Sequence, residues 1–202
     1  MARRNDHTRE ELIALTMEKV NAFLDAKPHH ELSLRKIATM IGYVPSTLIN
    51  VFGNYNLLLL EVVANTLDEL AEEAKADVIN ATSPEEAIRI LANCYLNYAK
   101  TNPYRWQLIF QHKMAGEELP EWQNKRINNL TGMLESQVAA MTGLTDKTEI
   151  ETISRVLWAG VHGITLLSVD DKLFANSTVG GAELIDNLLD NYLARWRVNT
   201  DD

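Results

Sequence analysis

Helix-breaking residues constrain this chain more than any other feature in it. Five prolines and nine glycines are spread over 202 residues. Most of them mark a few positions: Pro28, Gly42, Pro45, Gly53, Pro84, Pro103, Gly116, Pro120, Gly143 and the Gly180–Gly181 pair. Proline lacks a backbone donor and glycine admits left-handed backbone, so both punctuate helices. Between the breaks, apolar residues recur with the period of an amphipathic helix. No segment reads as a strand, and no internal repeat is present. The pattern predicts an all-α fold of about nine helices. They cover residues 8–26, 33–41, 45–51 and 55–80, then 83 to the Asn102–Pro103 break, then 103–113, 121–141, 146–169 and 182–198.

Local chemistry supports the helix starts. Thr8 with Glu11 has the form of a capping box. Ser33 is a candidate N-cap for the second helix, and Gly42 is its stop. Pro45 suits the first turn of the third helix. Ser83, Pro84 and Glu86 combine a cap, a first-turn proline and a capping box closed by Glu86. Expected buried stripes include Ile13, Met17, Val20 and Leu24 on the first helix. On the seventh they are Ile127, Leu130, Leu134, Val138 and Met141. The eighth helix carries Ile153, Leu157, Ile164 and Leu167 on one face and Val156 and Val161 on others. A helix that is apolar on several sides is buried on several sides, so helices eight and nine are expected to meet a second subunit.

The formal net charge is −9, from 19 Lys and Arg against 28 Asp and Glu. Taken whole, that acidity argues against nucleic acid, because DNA binding rests on cations that neutralise phosphates. The charge is unevenly spread, however. Residues 1–60 hold seven basic and six acidic residues, and residues 61–202 hold 12 and 22. Cys94 is the one cysteine, which excludes an internal disulfide and fits a reducing compartment. It reads as a buried, inert thiol. No apolar h-region follows Met1-Ala2-Arg3-Arg4-Asn5-Asp6. The longest apolar stretch, near residues 157–169, is interrupted by His162, Thr165 and Ser168, and is shorter than the roughly 20 residues of a span. A soluble, cytoplasmic protein with no membrane contact is the expectation.

Residues 33–54 carry the functional reading. Ile37-Ala38, Gly42, Thr47-Leu48 and Phe52 fit a helix-turn-helix: a short helix, a glycine stop, a tight turn and a second short helix. Ala38 is small where the helices cross, and Leu48 and Phe52 would pin the second helix to the first helix of the chain. The outward face then carries Val44, Pro45, Ser46, Thr47 and Asn50, compact side chains suited to base edges and phosphates. Ser33 offers a hydroxyl at a helix N-terminus to a phosphate. Arg3, Arg4, Arg35 and Tyr55 are further candidate contacts.

This stretch resembles the DNA-binding signature of tetracycline-repressor-type (TetR family) regulators, in which an Ile-Ala pair, a Gly, Thr-Leu-Tyr, a Phe and then a Lys follow in order. The motif spans roughly residues 8–63, and the length and nine-helix layout match over the whole chain. Two positions depart from the pattern: Ile49 replaces the usual Tyr, and Tyr55 replaces the usual Lys. The resemblance implies a helix-turn-helix domain at residues 1–54 and a helical ligand-binding and dimerisation domain at 55–202. It also implies a homodimer through helices eight and nine. The function implied is that of a transcriptional regulator, in this family most often a repressor. It would bind a pseudo-palindromic site in double-stranded DNA and be modulated by a small-molecule effector.

Trp158-Ala159-Gly160-Val161-His162-Gly163 is similar to the Trp…His-Gly element of one C-terminal subclass of the family. Gly160 and Gly163 thin the eighth helix for close approach of another helix or a ligand. His162 either hydrogen-bonds a ligand atom or satisfies a buried neighbour. Tyr95, Tyr98, Trp106, Phe110, Trp122 and Trp158 complete an aromatic set that serves as candidate pocket lining or as ordinary core. No Gly-x-x-x-x-Gly-Lys loop, Gly-x-Gly-x-x-Gly after a strand, His-Glu-x-x-His or Glu-x-x-His pair occurs, so neither enzyme, cofactor nor metal centre is expected. The rival reading is a helical ligand- or protein-binding protein that has lost specific DNA binding, with Ile49 and Tyr55 as its marks.

Overall fold

The computed structural model describes residues 7–170 and 178–197. Among them are nine α-helices and no strand. These are α1 (Arg9–Leu24), α2 (Leu34–Ile41), α3 (Pro45–Phe52), α4 (Tyr55–Val78), α5 (Pro84–Thr101), α6 (Pro103–Gln111), α7 (Glu121–Thr142), α8 (Lys147–Asp170) and α9 (Gly181–Arg197). A 3-10 turn at His29–Glu31 links α1 to α2. The described residues fall into two compact units. One takes residues up to 66 together with 102–120, and the other takes 67–101 together with those from 121 onward.

In the first unit, α1 starts at the expected capping box. The Thr8 hydroxyl accepts from the Glu11 N–H at 3.2 Å, and Glu11 accepts from the Thr8 N–H at 2.6 Å. Its buried stripe is Leu12, Thr16, Val20 and Leu24, one step from the expected Ile13 and Met17. The reason is Thr16, whose hydroxyl donates to the Leu12 carbonyl at 2.6 Å. A threonine satisfied within its own helix is buried like an apolar residue, which hydropathy alone does not register. This unit also reaches beyond residue 54. It takes in the start of α4 and all of α6, where Arg105, Trp106 and Leu108 are buried and which packs against α1 and the 3-10 turn. A nine-residue helix does not state in its sequence which neighbour it will cover.

In the second unit, α5 packs against α7, α8 and α9, and α8 packs against α7 and α9. Ile88, Leu96, Val138, Leu157, Ile185 and Leu189 form the centre of the core. Gly160 allows the close helix approach expected of it, since a Cβ there would stand 2.6 Å from Leu188 Cδ2. Nothing lies within 4 Å of a Cβ built on Gly163, so crowding does not explain that glycine. Arg89 of α5 reaches Glu85 at 3.1 Å on its own helix, and Asp186 (3.3 Å) and Asp190 on α9.

Three expectations for this unit change. The Ser83 hydroxyl does accept from the Glu86 N–H (3.1 Å), but the Glu86 carboxylate turns to Thr82, not to Ser83. It accepts the Thr82 N–H at 2.7 Å and the Thr82 hydroxyl as well. Two donors on one residue outcompete the single N–H of Ser83, and they hold the Glu86 carboxyl below the ordinary carboxylate range. On α7, Val138 is buried and Leu134 and Met141 pack against the core as the stripe predicts, but Ile127 at its start is exposed and Gln123 is buried in its stead. On α8 the buried residues are Ile153, Ser154, Leu157, Val161 and Thr165, with Ile164 and Leu167 half-buried. By length and composition alone α8 could cross a membrane. Its packing against α5, α7 and α9 buries 28% of its apolar stretch.

Candidate functional site

Helices α2 and α3 build the outward face that the sequence suggested. Ser33 caps α2 by accepting the Lys36 N–H at 3.2 Å. Gly42 ends the helix with φ +76°. The Tyr43 N–H donates to the Ala38 carbonyl at 2.9 Å and the Gly42 N–H to the Thr39 carbonyl at 3.2 Å, the paired bonds of a Schellman turn. Ile37, Ala38 and Ile41 of α2 and Leu48, Val51 and Phe52 of α3 are buried. Arg9 adds a polar clasp, donating from Nη2 to the Val51 carbonyl at 2.9 Å. With its apolar side locked inward, α3 has one orientation available.

The other side is polar and open. Ser46 and Asn50 are exposed, and Pro45 and Thr47 are half-buried. Val44 sits at the N-cap of α3 and makes no side-chain cap bond, with 60% of its surface exposed. Ser33 and Arg35 are exposed on α2. Lys36 is engaged elsewhere: its Nζ donates to the Glu31 carbonyl at 3.2 Å and lies 4.3 Å over the Phe23 ring. Ile49, one of the two departures from the family pattern, is exposed. Tyr55, the other, is half-buried at the start of α4, and burial raises its phenol pKa. It therefore stays protonated and able to donate. Arg3 and Arg4 lie outside the described residues.

Two neighbours of this face went unnoticed in the sequence. The Tyr43 hydroxyl pairs with His7 Nδ1 at 2.7 Å, tying the residue before the α1 cap to the turn. Thr39 is exposed on α2 with its hydroxyl bonded to the Arg35 carbonyl at 3.0 Å. Neither belongs to an apolar stripe or a capping pattern, so only the fold reveals them.

The aromatic set divides between the units. Trp106 and Phe110 belong to the first, edge to face at 5.2 Å. Tyr95, Tyr98, Trp122, Trp158 and His162 belong to the second. There the Tyr95 hydroxyl pairs with His162 Nδ1 at 2.8 Å, and Trp158 stacks on the His162 ring at 5.2 Å. Burial lowers the His162 pKa, so the ring is neutral at neutral pH. Tyr98 is buried and donates to Glu69 at 3.2 Å. Trp122 carries Arg126 over its ring at 5.4 Å, and Arg126 is paired with Asp68 at 2.8 Å. Cys94 is buried and its thiol is pushed up to about 12, chiefly by burial and then by the carboxylates of Asp77 and Glu73. Such a thiol is unreactive at neutral pH. A cavity of about 210 Å³ lies among Ala74, Val78, Leu91, Met133 and Gln137.

Comparison with known proteins agrees with this layout. A family model described as the tetracyclin repressor-like C-terminal domain matches residues 88–192. No curated protein matches the chain. Among solved structures, a protein from Rhodococcus sp. RHA1 superposes with TM-score 0.75 at 18% identity, covering 98% of each chain. The TetR-family transcriptional regulator PfmR from Thermus thermophilus gives TM-score 0.61 at 16% identity, covering 89% of this chain and 97% of that one. AibR, solved in complex with isovaleryl coenzyme A and operator DNA, gives 0.60 at 15%, covering 91% and 97%. At these identities the superpositions speak to the fold.

Proposed function

The chain belongs to the tetracycline-repressor-like family, and from that premise we propose that it is a sequence-specific DNA-binding transcriptional regulator acting as a ligand-responsive repressor. The observation that carries the reading is the α2–α3 pair. Its apolar side is consumed internally, and its exposed side offers Ser46, Thr47 and Asn50 at the start of a helix, with Ser33 and Arg35 on α2. Short hydroxyl and amide side chains at the N-terminal end of a recognition helix read base edges in the major groove, and Ser33, Arg35 and Tyr55 serve phosphates. Arg3 and Arg4 precede α1 in sequence and would add cations. Few ionic contacts are available, so the salt dependence of binding is expected to be shallow.

The protein acts as a cytoplasmic homodimer on a pseudo-palindrome whose half-sites lie one helical turn or more apart. The dimer uses α8 and α9, and on α8 Val156, Trp158 and Leu166 remain exposed. An effector in the second unit, touching Tyr95, Tyr98, Trp122, Trp158 and His162, binds the non-DNA conformation better and shifts the population toward it. Trp106 and Phe110 belong to the other unit and are left out of that effector site.

Selection of bound sequences from a random DNA pool should enrich a two-fold-related site. Replacing Thr47 and Asn50 together by Ala should weaken binding to it by roughly a hundredfold, about 1–3 kcal/mol per lost base contact, with helicity unchanged. Enrichment of no sequence would sink this reading in favour of a helical binding protein without a DNA role.

A further inference from the structure

The second unit buries polar groups that its own fold leaves unsatisfied. Gln123 on α7 is 2% exposed, and Ser154 and Thr165 on α8 are 4% and 0% exposed. Gln123 Oε1, Ser154 Oγ and Thr165 Oγ1 have no hydrogen-bond partner. Hydroxyls in helices ordinarily settle this by bonding back one turn, as Ser168 does to Ile164 (2.7 Å), Thr142 to Val138 (2.8 Å) and Thr152 to Thr148 (2.7 Å). Ser154 and Thr165 forgo that bond although they are more deeply buried. Native proteins keep few such groups, and each calls for a cause such as a bound molecule.

Helix register brings Gln123 and Thr165 to one level, while Ser154 lies about three turns, roughly 16 Å, further back along α8. The short turn between Thr142 and Lys147 makes α7 and α8 antiparallel, and counting back from it pairs Gln123 with about residue 165. Helix α5 is antiparallel to α9 (Arg89 to Asp186), and α9 is antiparallel to α8 (Leu188 against Gly160, Gly181 against Ser168). So α5 runs parallel to α8, with Tyr95 level with His162. One turn further along, Tyr98, Gln123 and Thr165 share a level.

The region offers an anion no counter-charge. Gln123, Leu130 and Leu134 of α7 and Ser154, Val161 and Thr165 of α8 are buried or half-buried and carry no acid or base. Arg126 is committed to Asp68, Glu69 accepts the Tyr98 hydroxyl, and the His162 ring is neutral. An anionic molecule would lose its hydration there without gaining a counter-charge. Trp158 and Ile127 keep apolar surface exposed nearby.

We propose that the effector is a molecule without negative charge, with at least two hydroxyl or amide groups on an apolar frame, held by Gln123 and Thr165 beside the Tyr95–His162 pair between α5, α7 and α8. The proposal rests on the ligand-responsive reading above. Gln123 Oε1 accepts from a ligand hydroxyl, and the Thr165 hydroxyl donates or accepts.

Resorcinol is the probe. Calorimetric titration of the full chain should detect resorcinol and find benzoate, the charged analogue, at least about tenfold weaker. The Q123L/T165V variant should lose about tenfold or more in resorcinol affinity, the scale of one lost hydrogen bond. Its unfolding temperature without ligand should hold or rise, because unpartnered polar groups have been replaced by apolar ones of similar shape. Undetectable resorcinol binding, benzoate binding as tight as resorcinol, or equal resorcinol affinity in the variant would each overturn the proposal. Operator affinity measured in parallel separates the two readings. Resorcinol that binds but leaves the operator complex intact keeps the site and defeats ligand response, and a wild type that never binds DNA defeats the regulator assignment alone.

Discussion

Two helix pairs in this molecule are joined in the same way and buried in opposite ways. Both α2–α3 and α7–α8 turn at a glycine in left-handed backbone, Gly42 at φ +76° and Gly143 at φ +70°, and no atom lies within 4 Å of a Cβ built on either. The α2–α3 pair buries only apolar side chains and exposes Ser46 and Asn50, with Val44 and Ile49 exposed beside them. The α7–α8 pair buries Gln123, Ser154 and Thr165 and exposes Ile127, Val156, Trp158 and Leu166. The first is finished as a folded unit and turns outward a polar face suited to a polar polymer. The second is unfinished in both directions, with buried polar groups short of partners and apolar groups short of cover. A small molecule and a second subunit are the two kinds of partner that would complete it.

The sharpest break of the comparison is a core truncation in the finished pair. Leu48→Ala should cost about 2–5 kcal/mol, the range for a fully buried leucine in a well-packed site, read from urea unfolding. It should also abolish DNA binding at temperatures where the first unit no longer folds. A cost below about 1 kcal/mol, half the low end of that range, would show that α3 is not locked inward and would remove the basis for its fixed outward face.

Substituting the two glycines is gentler. Gly42→Ala and Gly143→Ala should each cost about 1–2 kcal/mol, because the left-handed backbone strains any L side chain even with space around it. Their functional effects should diverge. Gly42→Ala should lower DNA affinity as well as stability, and Gly143→Ala should lower stability alone. Equal losses of DNA affinity would erase the distinction between the pairs.

The smallest expected effect is one of pH. His29 and His112, both in the first unit, have lowered pKa values, His29 through burial and then the charges of His30 and His112, and His112 through burial. The unfolded chain therefore binds more protons than the native state in the window just below the ordinary histidine value of about 6.5, so stability rises with pH there and falls on acidification. The urea midpoint of the first unit should drop on acidification from about one pH unit above that value to about one below it. A His112→Asn variant, keeping a donor for the Asn56 carbonyl that His112 Nε2 now meets at 3.0 Å, should show a smaller drop. An unchanged pH dependence would mean that His112 is not sheltered from water.

Much of the first unit was legible because its determinants are local. Thr8, Ser33, Gly42 and Pro45 act within one turn of themselves, and every one of them does what its chemistry predicts. Local order also gave the outward face of α3, since an eight-residue helix with Leu48 and Phe52 inside has only one side left. The second unit was less legible. Ser154, Thr165 and Gln123 look like surface residues in a hydropathy pattern, and Ile127 looks like core, yet the fold reverses both. Glu86 shows the same limit on a small scale, because whether it closes on Ser83 or on Thr82 depends on donor competition in three dimensions.

The sequence by itself determined that this chain is helical, where the helices break, which family it resembles and which short segment turns a polar face outward. Those follow from backbone chemistry acting over three or four residues. Only the tertiary structure decided that α6 joins the first unit, that Tyr95 meets His162 across 67 positions, and that three side-chain oxygens of α7 and α8 are buried without a hydrogen-bond partner. Burial is a property of what packs from elsewhere in the chain, so no periodicity within one helix can report it.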